Sequence, residues 1–116
     1  MNILVVCAQK PDSTGSGVYL AETVRAFRAM GHEVAVIAGI DKEDVSVLPE
    51  GTLFFPVRFR TEALPFPVCG MSDEMPYAAT RYRDMTPDAV AQFADAFAAA
   101  VRDVLGCGKP DLVICH

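Results

Sequence analysis

Apolar residues along this chain follow two patterns. The runs "NILVVCA" and "HEVAVIAG" are nearly continuous and rich in β-branched residues, which is typical of strands buried on both faces of a parallel sheet. Between them Leu20, Val24 and Phe27 recur at helical spacing and predict a helix from Val18 to Met30. Gly31 then occupies the position just past the helix that glycine favours. The first 39 residues therefore predict a parallel strand, helix and strand with a right-handed crossover.

The second half of the chain predicts two more strands and one more helix. "LFFPVRF" predicts a third strand with Pro56 at an edge or a bulge. Thr86 caps a helix over residues 87–105, and Gly106 and Gly108 end it. "KPDLVICH" predicts a last strand beside the first. The fold class is thus α/β, a partial, Rossmann-like doubly wound parallel sheet with one helix on each face.

The long segment over residues 62–87 is expected to be irregular, since it contains Pro65, Pro67, Pro76 and Pro87. Segments of this length in a small domain are often functional. The alternative is that it only covers the domain surface with apolar side chains.

The last strand is apolar throughout, which suits a strand with neighbours on both sides. At an edge it would offer unpaired backbone groups to other chains. An intact domain of this class continues with a helix and further strands. We therefore expect residues 1–116 to be one truncated amino-terminal domain of a longer protein, and we expect this chain to self-associate.

Composition narrows the possible functions. The 116 residues suit one domain, and 52% hydrophobic residues suffice for a core. A net charge of −5 disfavours nucleic-acid binding. Four scattered cysteines without a CxxC pair predict reduced thiols in a cytoplasmic protein. Cys115 and His116 are adjacent and make a poor pair of metal ligands, so we expect no metal site.

The stretch "QKPDSTGSGVYLAETVRAF" carries the candidate chemistry. Gly15 and Gly17 are expected to adopt positive φ and bring backbone close to a ligand. Unpaired amides and the helix dipole at the start of the next helix favour an anion. A plain connecting turn remains an alternative. So does a dinucleotide site with Asp41 as its ribose-binding acid, although Leu20 replaces its third glycine.

With these elements in place, the sequence resembles the amino-terminal domain of GT-B-fold retaining glycosyltransferases of family 4, or group 1. The residues "STGSGVYLAETVRAFRAMGHEVAVIA" are similar to the family's opening glycine pair, helix and Gly-His-Glu-Val strand. The order of elements also agrees, and "KPDLVICH" is similar to the family's strand ending in two histidines. Ile114 replaces the first of those histidines, and His116 matches the second.

The resemblance implies transfer of a sugar from a nucleotide-sugar to an acceptor with retained configuration, without a cofactor or metal. It places Gly15, Ser16 and Gly17 on the donor side, near the phosphates and the transferred sugar, and His116 against that sugar. Lys10 and Arg60 are possible phosphate or acceptor contacts, or else solvated charges. His32 is expected to be structural.

The resemblance also implies that most nucleotide contacts come from a carboxy-terminal domain outside these residues. The chain alone is therefore expected to be inactive, and any peripheral membrane contact is expected only through parts outside this sequence. Two alternatives stay open. One is a stand-alone α/β module that binds a nucleotide or phosphate, and the other is a self-associating structural fragment.

Overall fold

The chain folds as a four-stranded parallel sheet with a helix on each face. The computed structural model describes residues 1–11, 13–44 and 48–116. The elements in chain order are β1 Asn2–Cys7, α1 Gly15–Ala29, β2 Glu33–Asp41, β3 Leu53–Phe59, β4 Cys69–Gly70, β5 Thr80–Arg81, a 3-10 turn Tyr82–Asp84, α2 Pro87–Cys107 and β6 Leu112–Cys115.

The main sheet has the strand order β3-β2-β1-β6, and all of its pairings are parallel. This confirms the predicted α/β class and the central position of the first strand, which pairs with β2 and β6. The third strand lies at the opposite edge from β6. Pro56 is therefore on an edge strand, which is one of the two positions predicted for it, because an edge strand tolerates a missing N–H donor.

Side chains of β1 alternate between two hydrophobic clusters, one on each face of the sheet. Ile3 and Val5 pack with Leu20 and Val24 of α1. Leu4 packs on the other face in a cluster that contains Ala100 and Val104 of α2. The two helices therefore cover opposite faces, as the sequence predicts, and both faces of the central strand are buried.

Two glycines fix the chain path around β2. Gly31 has φ +87°, and the N–H groups of Gly31 and His32 donate to the carbonyls of Arg28 and Phe27, which closes the end of α1. At Gly39 an added Cβ would lie 2.7 Å from the carbonyl oxygen of Ala8. The absence of a side chain there lets the segment after β1 cross close to β2, and this segment leads into α1.

The segment over residues 62–87 contributes to the core. Leu64, Val68 and Cys69 are buried in the cluster under α2, next to Phe59 of β3. β4 and β5 form a short parallel pair within this segment. Part of its apolar surface thus belongs to the domain interior, while Met71 and Tyr82 stay exposed.

β6 is exposed at its edge of the sheet. Leu112 and Val113 are 40% and 50% exposed, and the segment 62–87 packs on the β3 side of the domain. Ile114 contacts the cluster under α1. The last strand is therefore an edge strand, as the doubly wound topology requires, despite its uniformly apolar sequence.

This exposed strand predicts self-association of the 116-residue chain. Apolar burial is worth about 25 cal/mol per Å², so a contact of about 300 Å² would contribute roughly 7 kcal/mol. We expect light scattering at micromolar concentration to show dimers or larger species. Val113→Lys, at an exposed edge position, should shift the population to monomer. A monomeric wild-type chain would contradict this prediction.

Candidate functional site

Polar side chains lie at the carboxyl ends of the four parallel strands, and several of them are residues that the sequence singles out. Gln9 and Lys10 follow β1, Asp41 ends β2, Arg60 follows β3 and His116 follows β6. Open α/β sheets bind ligands at this edge. Two pockets formed by described residues open along this edge.

The amino end of α1 differs from the expected glycine loop. Thr14 is the N-cap, and Gly15, Ser16 and Gly17 form the first turn of the helix. Positive φ among the described glycines occurs at Gly31, Gly51 and Gly108, so the expectation of positive φ at Gly15 and Gly17 is wrong. The Thr14 hydroxyl accepts from the Gly17 N–H, and this cap lets the helix begin three residues before Val18.

Gln9 organises this turn, although the sequence patterns did not single it out. Its side chain is only 6% exposed. Its Oε1 accepts hydrogen bonds from the hydroxyls of Ser16 at 2.8 Å and Thr14 at 3.2 Å. The one available signal was its position, since a polar residue directly after a buried strand lies at the edge where ligands bind.

An open cleft of about 490 Å³ lies against this turn. One wall is formed by Gln9 and the residues 13–16, and the other by Met71, Ser72 and residues 74–76. Gly15 and Ser16 line the cleft, whereas Gly17 is buried and is not among its lining residues. Two of the three proposed loop residues therefore face open space, and Gly17 packs against the domain.

Lys10 and Arg60 lie together in a second pocket of about 230 Å³. The Lys10 ammonium is 2.7 Å from Asp44 and 4.9 Å from the centre of the Tyr77 ring, and its side chain is 19% exposed. Arg60 donates to both carboxylate oxygens of Asp41, at 2.5 and 2.7 Å. Lys10 is thus largely screened from solvent, whereas the Arg60 side chain is 49% exposed, and each cation has a carboxylate partner.

The second pocket carries three carboxylates, from Asp41, Glu43 and Asp44, against these two cations. A phosphate bound there would lie near three carboxylates and would compete with Asp44 and Asp41 for the two cations. Contacts of Lys10 or Arg60 with a ligand thus stay a prediction. The same pairing bears on the dinucleotide alternative, because both oxygens of Asp41 already accept from Arg60 and a ribose hydroxyl would have to share them.

His116 follows the last strand and packs beside α1. Its backbone N–H donates to the Val6 carbonyl at 2.9 Å, and its ring meets Tyr19 edge-on with centroids 5.2 Å apart. Tyr19 lies in the second turn of α1. The histidine and the amino end of α1 therefore occupy the same edge of the sheet, on neighbouring elements.

His32 lies at the opposite edge. Its Nδ1 is 2.9 Å from the amino-terminal nitrogen of Met1, at the start of β2. A smaller pocket of about 160 Å³ opens at this amino edge, with Leu4, Phe55 and Val104 in its lining. This placement is consistent with the structural role expected for His32.

The four cysteines are free thiols, with Cys7 and Cys69 buried and Cys107 and Cys115 exposed. Burial raises the pKa of Cys69 to about 11. Within the described ranges, no group of three or more His, Cys, Asp or Glu side chains is arranged to hold a metal ion. In the same part of the chain, no helix combines the length and apolar character needed to cross a membrane.

Comparisons with family models, curated proteins and solved structures found no significant match to the chain. The observations at the carboxyl edge of the sheet therefore rest on the geometry of this chain alone.

The Asp41–Arg60 pair predicts a pH-dependent contribution to stability. The hydrogen bonds from Arg60 hold the pKa of Asp41 below its ordinary value. Stability from the pair is therefore present above the ordinary carboxyl pKa and is lost as the pH falls through the lowered one. We expect Asp41→Asn to have a lower urea midpoint of unfolding than wild type near neutral pH. In acid the two midpoints should become equal.

The matched control for this series is Asp95→Asn, which removes an exposed carboxylate of α2. Its urea midpoint should follow wild type across the pH range. If the urea midpoints of Asp41→Asn and wild type differ by the same amount from neutral pH into acid, the ionised carboxylate contributes nothing to stability.

Proposed function

We propose that the chain is the acceptor-side, amino-terminal part of a retaining glycosyltransferase that uses a nucleotide-sugar donor. The observation that carries this proposal is the open cleft at the amino end of α1, on the carboxyl edge of a parallel sheet. The reaction chemistry is what the sequence resemblance implies, and the cleft supports the proposal because ligands of open α/β sheets bind at this edge. A carboxy-terminal domain would provide the remaining nucleotide contacts.

In the proposed reaction, the bond between the anomeric carbon and the phosphate oxygen breaks, and the phosphate keeps the electron pair. The acceptor hydroxyl oxygen bonds to the anomeric carbon on the same face of the sugar, and its proton passes to the departing phosphate. Positive charge develops on the sugar and negative charge on the phosphate. Groups already fixed in position stabilise such charges without reorganising.

Three groups of this chain have roles in the proposal. The N–H groups of Gly15 and Ser16, in the first turn of α1, would donate to oxygen atoms of the donor. The His116 ring, held beside Tyr19, would contact the transferred sugar. Gly17 is buried and would act by letting α1 pack, because it does not line the cleft.

Gly15→Val tests the donor side in the full-length enzyme that the proposal requires. An added Cβ at Gly15 meets no atom within 4 Å, so the domain should still fold while the side chain enters the cleft. We expect kcat/KM for the nucleotide-sugar to fall about tenfold, because the valine side chain would obstruct the hydrogen bonds from the turn to the donor. Gly106→Val is the control, because its Cβ is equally unobstructed at the far end of α2. Wild-type kinetics for Gly15→Val would contradict the assignment.

His116→Ala tests the second role. We expect turnover to fall about tenfold while nucleotide affinity changes little, since the ring would contact the sugar and not the nucleotide. His32→Ala, at the opposite edge of the sheet, should leave turnover unchanged. Equal losses of turnover and nucleotide affinity in His116→Ala would indicate a damaged fold and would remove support for the role.

A stand-alone binding module is the second candidate function. One observation favours it, because both walls of the cleft are contributed by this chain. Binding of a nucleotide or phosphate to the 116-residue chain, with no transfer by the full-length protein, would select the binding module.

A further inference from the structure

We infer that the cleft at the amino end of α1 takes the uncharged, hydroxyl-rich sugar part of its ligand and not a phosphate group. This inference names the moiety that the cleft recognises, and in that sense it rests on the proposed function. It departs from the expectation that the glycine-containing turn serves mainly as an anion site.

The first observation is the side-chain amide of Gln9. The residue is nine-tenths buried and lines the cleft. Its Oε1 is used by the hydroxyls of Thr14 and Ser16, whereas its Nε2 has no hydrogen-bond partner among the described residues. No buried side-chain nitrogen or oxygen in this part of the chain lacks a partner, so Nε2 must retain contact with open space. It is therefore placed to donate to a ligand.

The second observation is the charge of the cleft walls. Glu74 is the one charged residue that lines the cleft in the described part of the chain. Lys10, the cation nearest in sequence, is held by Asp44 in the neighbouring pocket. A phosphate bound in the cleft would lie near the Glu74 carboxylate without a cation to balance the charge. Repulsion between the two negative groups disfavours its binding.

The third observation is the match of these walls to a sugar. Amide donors from Gln9, Gly15 and Ser16 can bind hydroxyl oxygens, and the Glu74 carboxylate can accept from hydroxyl hydrogens. Met71, Met75 and Pro76 add apolar surface on the same wall as Glu74. Polar groups that fix orientation, beside an apolar surface, are typical of small-molecule sites.

The test uses the ¹⁵N-labelled 116-residue chain, with methyl glucoside, methyl galactoside, methyl mannoside and inorganic phosphate as probes. NMR follows the side-chain amide of Gln9 and the backbone amides of Gly15 and Ser16. We expect at least one glycoside to shift these signals in a saturable way. Inorganic phosphate at the same concentration should leave them in place.

Two variants sharpen the test. Gln9→Glu keeps an oxygen for the Thr14 and Ser16 hydroxyls but removes the donor, and should weaken glycoside binding about tenfold. Glu74→Gln, on the exposed wall, should weaken it about three- to tenfold and allow phosphate to bind. The matched control Glu62→Gln removes an exposed carboxylate that does not line the cleft, and should do neither.

Shifts with phosphate and with no glycoside would overturn the inference, and so would the absence of shifts with every probe. The outcome is separable from that of the proposed function. Glycoside binding at Gln9 in a protein that transfers no sugar would keep the inference and remove the transferase. Sugar transfer by the full-length protein, with no glycoside shifts at Gln9, would keep the transferase and remove the inference.

Discussion

The parallel pairing of β1 with strands on both of its sides is the constraint on which the rest of the structure depends. Because β2 and β6 run in the same direction as β1, their carboxyl ends meet at one edge. Burial of both faces of β1 also requires a helix on each side of the sheet. The same pairing brings the start of α1 and His116 to one edge of the sheet.

The segment between β1 and α1 then determines what this edge can bind. Gly39 lets the chain after β1 pass close to β2, and Gln9 holds the hydroxyls of Thr14 and Ser16. Lys10 turns toward Asp44 and away from the cleft. Two neighbouring pockets therefore differ in character: one offers neutral donors beside a carboxylate, and the other consists of paired charges.

Local patterns in the sequence were sufficient for the main elements. The apolar runs predicted β1, β2 and β6, helical spacing predicted α1 and α2, and Gly31 marked the end of α1. These features depend on neighbouring residues, so they can be read along the chain. The start of α1 was placed at Val18 because glycines usually indicate a loop, whereas the Thr14 cap stabilises a helix from Gly15.

The site was less predictable because its contacts join residues that are distant in sequence. The ion pair between Arg60 and Asp41 joins the ends of two strands. The cleft between Gln9 and residues 71–76 likewise depends on how the later segment packs against the sheet edge. Sequence patterns identified Lys10 and Arg60 as cations but could not show that each already has a carboxylate partner.

The most direct test of this account is to titrate the labelled chain with a panel of nucleotide-sugars and to map the backbone amides that shift. We expect the largest shifts at the carboxyl edge, at Gly15, Ser16 and His116. Shifts confined to the amino edge, around Glu33 and Val34 beside the smaller apolar pocket, would contradict it.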